Sequence, residues 1–200
     1  MLAIVLAGGF GRRLGSVDKP ALELGGVSLL DIVLAAVAPA LTVVVGPARD
    51  LPARVLQTRE EPPGGGPCAA IAAGLRRLAD TPVNPLCAES LVTVVAADLP
   101  GVDAAAIEVL AAAAARAGAD GAVLVDPDGR DQYLCGVWRF SALTAAVSRR
   151  PSWHGGRVAD LLAALICVRV PADATRTADV DTPADLRRWG IELPGPHHDR

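Results

Sequence analysis

The stretch LAIVLAGGFGRRLGSVDK, residues 2–19, decides the fold. Leu2–Leu6 is an unbroken apolar run that ends in glycines, the pattern of a short strand buried on both faces. Residues 8–19 then form a loop rich in glycine and arginine. A secretory leader would also begin with apolar residues, but it would need a positive region ahead of them. Here Gly8, Gly9, Arg12 and Arg13 cut the run short instead. No apolar run in the chain is long enough to span a membrane.

Working outward, strands and helices alternate. Residues 21–24 and the Gly25-Gly26 turn lead to Ser28, which is placed to cap a helix reaching about Val37, with Pro39 ending it. Residues 41–45 and 53–57 read as strands. Pro67 suits the first turn of a helix carrying Ile71, Leu75 and Leu78 at helical spacing. Residues 81–89 read as a surface loop and 91–96 as another buried strand. Asp103 caps an alanine-rich helix to about Arg116. Strands over 121–125 and 134–138 flank the Asp128-Gly129 turn. Helices over 140–147 and 157–165, a strand over 167–170 and a closing helix over 182–189 complete the chain. No repeat or linker marks a second domain, so residues 1–193 read as a single domain and the polar residues 194–200 as a mobile tail. This alternation predicts an α/β three-layer sandwich with a mainly parallel, Rossmann-like sheet. Ligands of such sheets bind outside the carboxyl ends of the strands.

The composition narrows the function. A chain of 200 residues, 52% hydrophobic, holds one sizeable core without staples. Aromatics are 3%, too few for a platform that stacks single-stranded nucleic acid, and the net charge of -3 gives no electrostatic reason to bind nucleic acid. Any anion site is therefore built locally. The cysteines, Cys68, Cys87, Cys135 and Cys167, form no C-x-x-C pair. Cys68, Cys135 and Cys167 sit in apolar stretches and read as reduced thiols of a cytoplasmic protein. Of the histidines, His154, His197 and His198, two are in the tail, which leaves little material for a zinc site or a histidine-based triad.

Two stretches carry chemistry. In the first, Leu6-Ala7-Gly8-Gly9-Phe10-Gly11-Arg12-Arg13-Leu14-Gly15, glycines let backbone N–H groups turn toward an anion, and the arginines add donors that match phosphate oxygens. The loop lacks the last glycine of the Rossmann fingerprint and the Gly-Lys-Ser/Thr of the P-loop. Taken alone it could also be a flexible turn with solvated arginines. Lys19 is the only lysine in the chain, and a compact ammonium among arginines suits a phosphate grip. In the second stretch, Asp98 ends an apolar strand and precedes Leu99-Pro100. A carboxylate there can hold Mg²⁺, which binds through one or two carboxylates plus substrate phosphates; a turn or capping aspartate is the plainer alternative. Asp181, ahead of Thr182-Pro183, could likewise cap the last helix or supply a second metal ligand, and the residue alone favours the cap. Together the glycine amides, Arg13 and Lys19 would hold a triphosphate while Mg²⁺ on Asp98 bridges its oxygens. Positioning and charge neutralisation then suffice without a nucleophilic side chain.

These residues resemble the opening of the MobA-like nucleotidyltransferases, in particular the molybdenum cofactor guanylyltransferases, which begin with a similar LAGG…RRMG…DK signature. Gly66-Pro67-Cys68-Ala69-Ala70 is similar to the family's GPLAG segment, Asp98-Leu99-Pro100 to its D-x-P, and Asp131-Gln132-Tyr133-Leu134-Cys135-Gly136-Val137 to the strand after its D-G turn. Val180-Asp181-Thr182-Pro183-Ala184-Asp185-Leu186 is similar to its closing N-x-N-T-P-E-E-L segment. The resemblance implies a nucleotide-diphospho-sugar transferase-like fold and transfer of GMP from GTP to a molybdopterin-type phosphorylated acceptor, with Mg²⁺, in a monomer or homodimer. It implies Arg13, Lys19 and Asp98 as catalytic residues. Leu6, Ala7, Gly8, Gly9, Gly11, Lys19, Glu61 and Asp98 would contact the nucleotide and Asp98 the metal, with Asp181 kept from the residue reading as a second candidate metal ligand. At the Glu60-Glu61 loop a carboxylate could accept the guanine N1–H and N2–H donors. Gly46, Tyr133 and Asp181 stand where the family commonly has asparagine, proline and asparagine. Nucleotidyl transfer to another phosphorylated acceptor, and nucleotide binding without catalysis, remain as further readings.

Overall fold

The computed structural model describes residues 1–9, 12–15, 17–81 and 89–193. Gly11, Cys87 and residues 194–200, each singled out above, lie outside them. The first strand, β1 (Leu2–Leu6), is followed by a small hairpin, β2 (Glu23–Leu24) and β3 (Val27–Ser28), and by helix α1 (Leu29–Val37). Strands β4 (Leu41–Val45) and β5 (Val55–Thr58), helix α2 (Pro67–Ala79), strand β6 (Leu91–Ala96) and helix α3 (Ala104–Ala117) come next. The chain closes with β7 (Gly121–Val125), β8 (Asp131–Arg139), α4 (Phe140–Ser148), α5 (Val158–Leu162), β9 (Cys167–Pro171), α6 (Ala174–Thr177) and α7 (Pro183–Trp189).

The main sheet has seven strands in the order β5-β4-β1-β6-β8-β7-β9. β1 pairs in parallel with both β4 and β6, and β4 with β5. β8 runs antiparallel to β6 and β7, whereas β7 and β9 are parallel. β1 is buried throughout because its alternate side chains feed different layers. Ala3 and Val5 join a core with Leu30 and Val33 of α1 and Ile107 and Leu110 of α3. Leu2, Ile4 and Leu6 join another with Ile71 of α2, Leu143 of α4 and Leu161 of α5. The result is the three-layer, mainly parallel sandwich expected from the sequence.

Small side chains let α2 lie close on β1. A Cβ built on Gly74 would stand 2.7 Å from Cγ2 of Ile4, which is fully buried. The cap residues behave as their types demand. The Asp31 N–H donates to Ser28 Oγ at 3.0 Å, and the Ala106 N–H to Asp103 Oδ1 at 2.8 Å. At α7 the cap is Thr182, not Asp181. The Thr182 hydroxyl accepts the Asp185 N–H, and the Asp185 carboxylate accepts the Thr182 N–H, a reciprocal capping box. Asp181 is thereby left to face elsewhere.

Candidate active site at the carboxyl edge of the sheet

The carboxyl ends of β1 and β6 open into a cleft of about 430 Å³. Gly8, Gly9, Arg13, Lys19, Asp98 and Asp181 all line it. The start of α2, at Gly66 and Pro67, forms part of its wall, together with Leu134 of β8. β8 supplies Leu134 because its register against β7 jumps between Val123, paired with Gly136, and Leu124, paired with Gln132.

Charges of both signs meet on the cleft floor. Lys19 Nζ donates to Asp181 Oδ1 at 2.5 Å and to Asp98 Oδ2 at 3.4 Å. Arg13 Nη1 donates to the other Asp181 oxygen. Lys19 is 13% exposed and Arg13 is 74% exposed, so the lysine forms the inner contact and the arginine the outer one. Burial alone would lower the Lys19 pKa, but its hydrogen bond to Asp181 and the charges of both aspartates hold it above the ordinary lysine value. Burial raises the Asp98 carboxyl, with Lys19 opposing. The Lys19 hydrogen bond and Arg13 pull Asp181 below the usual carboxylate range despite partial burial. Asp179, behind them, is raised by burial and by the charges of Asp98 and Asp181.

Backbone pairing explains how residues so distant in sequence meet. The Ala97 N–H donates to Leu6 O at 2.9 Å, extending the β1–β6 ladder and setting Asp98 beside the glycine loop. The Val180 N–H donates to Asp98 O at 3.0 Å, which lays Asp181 next to Asp98. Beneath them a satellite core gathers Leu14, Leu22, Leu29, Val180, Leu186 and Ile191. Leu14 and Val180 are the chain neighbours of Arg13 and Asp181, so burying them fixes that ion pair from below.

Leu6, Gly8 and Gly9 reach the cleft as expected. Ala7 does not: it is 1% exposed, its N–H donates to Val45 O at 2.8 Å, and its carbonyl accepts from Arg49. Glu61 is also displaced from its expected place. It lines a separate, smaller cleft with Arg76, Arg150 and His154, while its neighbour Glu60 lines the main one. The two neighbouring carboxylates thus line different clefts, a distinction of one residue that the sequence pattern does not resolve. Glu60 is buried, and its Oε1 accepts the Gly64 N–H at 3.0 Å. Gly46 has its own reason: a Cβ there would lie 2.6 Å from Ala7 O, so no side chain fits against the loop.

Asp98 and Asp181 are hard oxygen donors lining one cleft, a donor set that fits a Mg²⁺ ion completed by substrate oxygens and water. Among the described residues no group of three or more His, Cys, Asp or Glu is placed to hold a metal ion. No described helix is long and apolar enough to cross a membrane.

A glycine-lipped cleft at the strand ends, floored by cations and paired carboxylates, is the place where an α/β sheet protein receives its ligand, and its backbone amides and cations suit an anionic one. A family model described as the MobA-like NTP transferase domain matches residues 3–158, and the chain belongs to that family of nucleotidyltransferases. It is 36% identical over 146 residues to a probable molybdenum cofactor guanylyltransferase of Mycobacterium tuberculosis, covering 70% of this chain and 68% of that protein. It is 42% identical over 81 residues to a molybdenum cofactor guanylyltransferase of Acidiphilium cryptum, a match spanning 37% of this chain and 41% of that one. In structure it is similar to molybdopterin-guanine dinucleotide biosynthesis protein A of Archaeoglobus fulgidus, with TM-score 0.70 and 26% identity over 94% of this chain and 96% of that one. A cytidylyltransferase for 2-C-methyl-D-erythritol 4-phosphate from Thermus thermophilus shares the fold, with TM-score 0.66 and 22% identity over 94% and 96% of the two chains.

Proposed function

We propose that this nucleotidyltransferase moves GMP from GTP onto the terminal phosphate of molybdopterin, releasing pyrophosphate. The observation that carries the reading is Lys19 held between Asp98 and Asp181 beside the Gly8-Gly9 lip. The names of the relatives support the choice of donor and acceptor. In this reading the amides of Gly8 and Gly9, with Lys19 and Arg13, bind the triphosphate and neutralise its charge. Glu60, buried in the cleft wall, accepts the guanine N1–H and N2–H donors. An oxygen of the acceptor phosphate attacks the α-phosphorus. The new P–O bond forms as the bond from the α-phosphorus to the bridging oxygen breaks, and that oxygen leaves with pyrophosphate. Mg²⁺ held by Asp98 and Asp181 would offset phosphate charge as it shifts toward the leaving group. The residues of the chain otherwise only align the two phosphates, which is enough for in-line displacement.

The test is pyrophosphate release from GTP and Mg²⁺ with molybdopterin as acceptor, compared with CTP, ATP and UTP. Release that needs both GTP and molybdopterin is expected. A preference for CTP would move the protein to cytidylyl transfer, and no release with any nucleotide would sink the reading. Asp98→Asn is expected to lower turnover by about a hundredfold or more while GTP still binds. A fully active Asp98→Asn enzyme would remove the metal role.

A further inference from the structure

The loop that ends in Lys19 is fastened by a residue outside the cleft. Arg49, after β4, has a side chain 13% exposed. Its Nη1 and Nη2 each donate to an oxygen of Asp18 at 2.6 Å, and Nη2 also reaches the Ala7 carbonyl at 3.3 Å. Ala7 begins the glycine loop, and Asp18 ends it, immediately before Lys19. A single guanidinium thus joins both ends of a segment whose interior supplies Gly8, Gly9 and Arg13. Arg49 is itself held from β5: its backbone N–H donates to Gln57 Oε1 at 3.4 Å, and Gln57 Nε2 donates to Pro47 O at 2.9 Å. None of Ala7, Asp18 and Arg49 lines the cleft. The buried Arg49 Nε has no partner among the described residues, so the side chain is committed to the loop at some cost to its own satisfaction.

We infer that Arg49 and Asp18 form a clasp that sets the phosphate loop before the nucleotide arrives, an inference that rests on the nucleotide reading of the cleft. Neither is a catalytic residue; both are positioning residues. A loop left open would have to be ordered at the moment of binding, which weakens binding. The planar fork of arginine spans both Asp18 oxygens and a carbonyl together, which an ammonium does not. The pairing also neutralises Asp18, whose free charge would otherwise sit beside an incoming triphosphate.

Calorimetric titration with GTP and Mg²⁺ tests this on the wild type, Arg49→Ala, Arg49→Lys, Asp18→Asn and the Asp18→Asn/Arg49→Ala double variant. KM and kcat are measured alongside. Each single variant is expected to bind about tenfold more weakly, the scale of a lost charge-assisted hydrogen bond. The double variant should be no weaker than the weaker single one. KM should rise by the same factor with kcat far less changed, and Arg49→Lys should not rescue. Losses that multiply in the double variant would overturn the clasp. So would wild-type affinity in Asp18→Asn beside a weakened Arg49→Ala, which would mean that Arg49 acts on the ligand directly. Unchanged affinity throughout would reduce the contact to packing. Should Arg49→Ala fail to fold, the half-exposed Asp18→Asn decides by itself. A folded wild type that binds no nucleotide would sink the nucleotide reading, and the clasp with it.

Discussion

On the cleft floor Arg13 and Lys19 face Asp98 and Asp181, two cations against two carboxylates. A triphosphate that takes Lys19 and Arg13 strips Asp181 of both partners, and a divalent cation taking the aspartates frees the lysine and arginine. Each ligand alone breaks ion pairs, whereas the two together replace every one. GTP with Mg²⁺ is therefore expected to raise the melting temperature by more than the sum of the separate shifts, and Lys19→Met should abolish most of the GTP effect. Purely additive shifts in a thermal scan would contradict this exchange. Much of this quartet was legible in the sequence: Lys19 was unique, Asp98 ended a buried strand, and arginines crowded the glycine loop. Asp181 was drawn toward a capping role because the better cap, Thr182, is its neighbour. Arg49 gave no signal, since its partner Asp18 is 31 residues away and only folding shows the pairing.

Among the elements, α7 connects stability to the site most directly. Removing its cap with Thr182→Ala should cost about 1 kcal/mol, lowering the melting temperature by about 3 °C in a domain of this size. Leu186 of α7 packs in the same cluster as Leu14 and Val180, so KM for GTP should rise in the same variant. A lower melting temperature with KM unchanged would separate the helix from the loop. Ser28, Pro67 and Asp103 marked helix starts correctly because capping is a local interaction that neighbouring residues decide. Other features were not local. The helix expected over 157–165 covers only Val158–Leu162. The short α6 went unread: its cap Asp173 lies in a polar stretch, and the helix spans only Ala174–Thr177. An apolar run does not reveal its direction, so the antiparallel placement of β8 had to come from the structure.

At the scale of the whole molecule, burial keeps the thiols of Cys68, Cys135 and Cys167 neutral. It pushes Cys135 up to about 12 and Cys68 up to about 11, from an ordinary value of 9.0. In the unfolded chain these thiols lose their protons at lower pH than in the fold. Their contribution is therefore complete below pH 9 and is lost as pH rises toward 11 and 12. Denaturation midpoints measured upward from pH 9 should fall for the wild type and fall less for Cys135→Ala; parallel decline would exclude the thiol. The fold as a whole was the most legible part, since mostly apolar strands alternating with helices along most of the chain leave few alternatives to a mainly parallel sandwich. The satellite core adds a constraint in time. Leu14 precedes its partners Val180, Leu186 and Ile191 by most of the length of the sheet-forming chain. At about 5–20 residues per second, a growing chain carries its glycine-rich loop for roughly ten to thirty seconds without the support that pairs Arg13 with Asp181. On the proposed reading, a nascent chain is expected to gain nucleotide affinity only once Val180 has joined Leu14, and a chain cut short ahead of Val180 is expected to bind GTP weakly in a titration however well its sheet had formed.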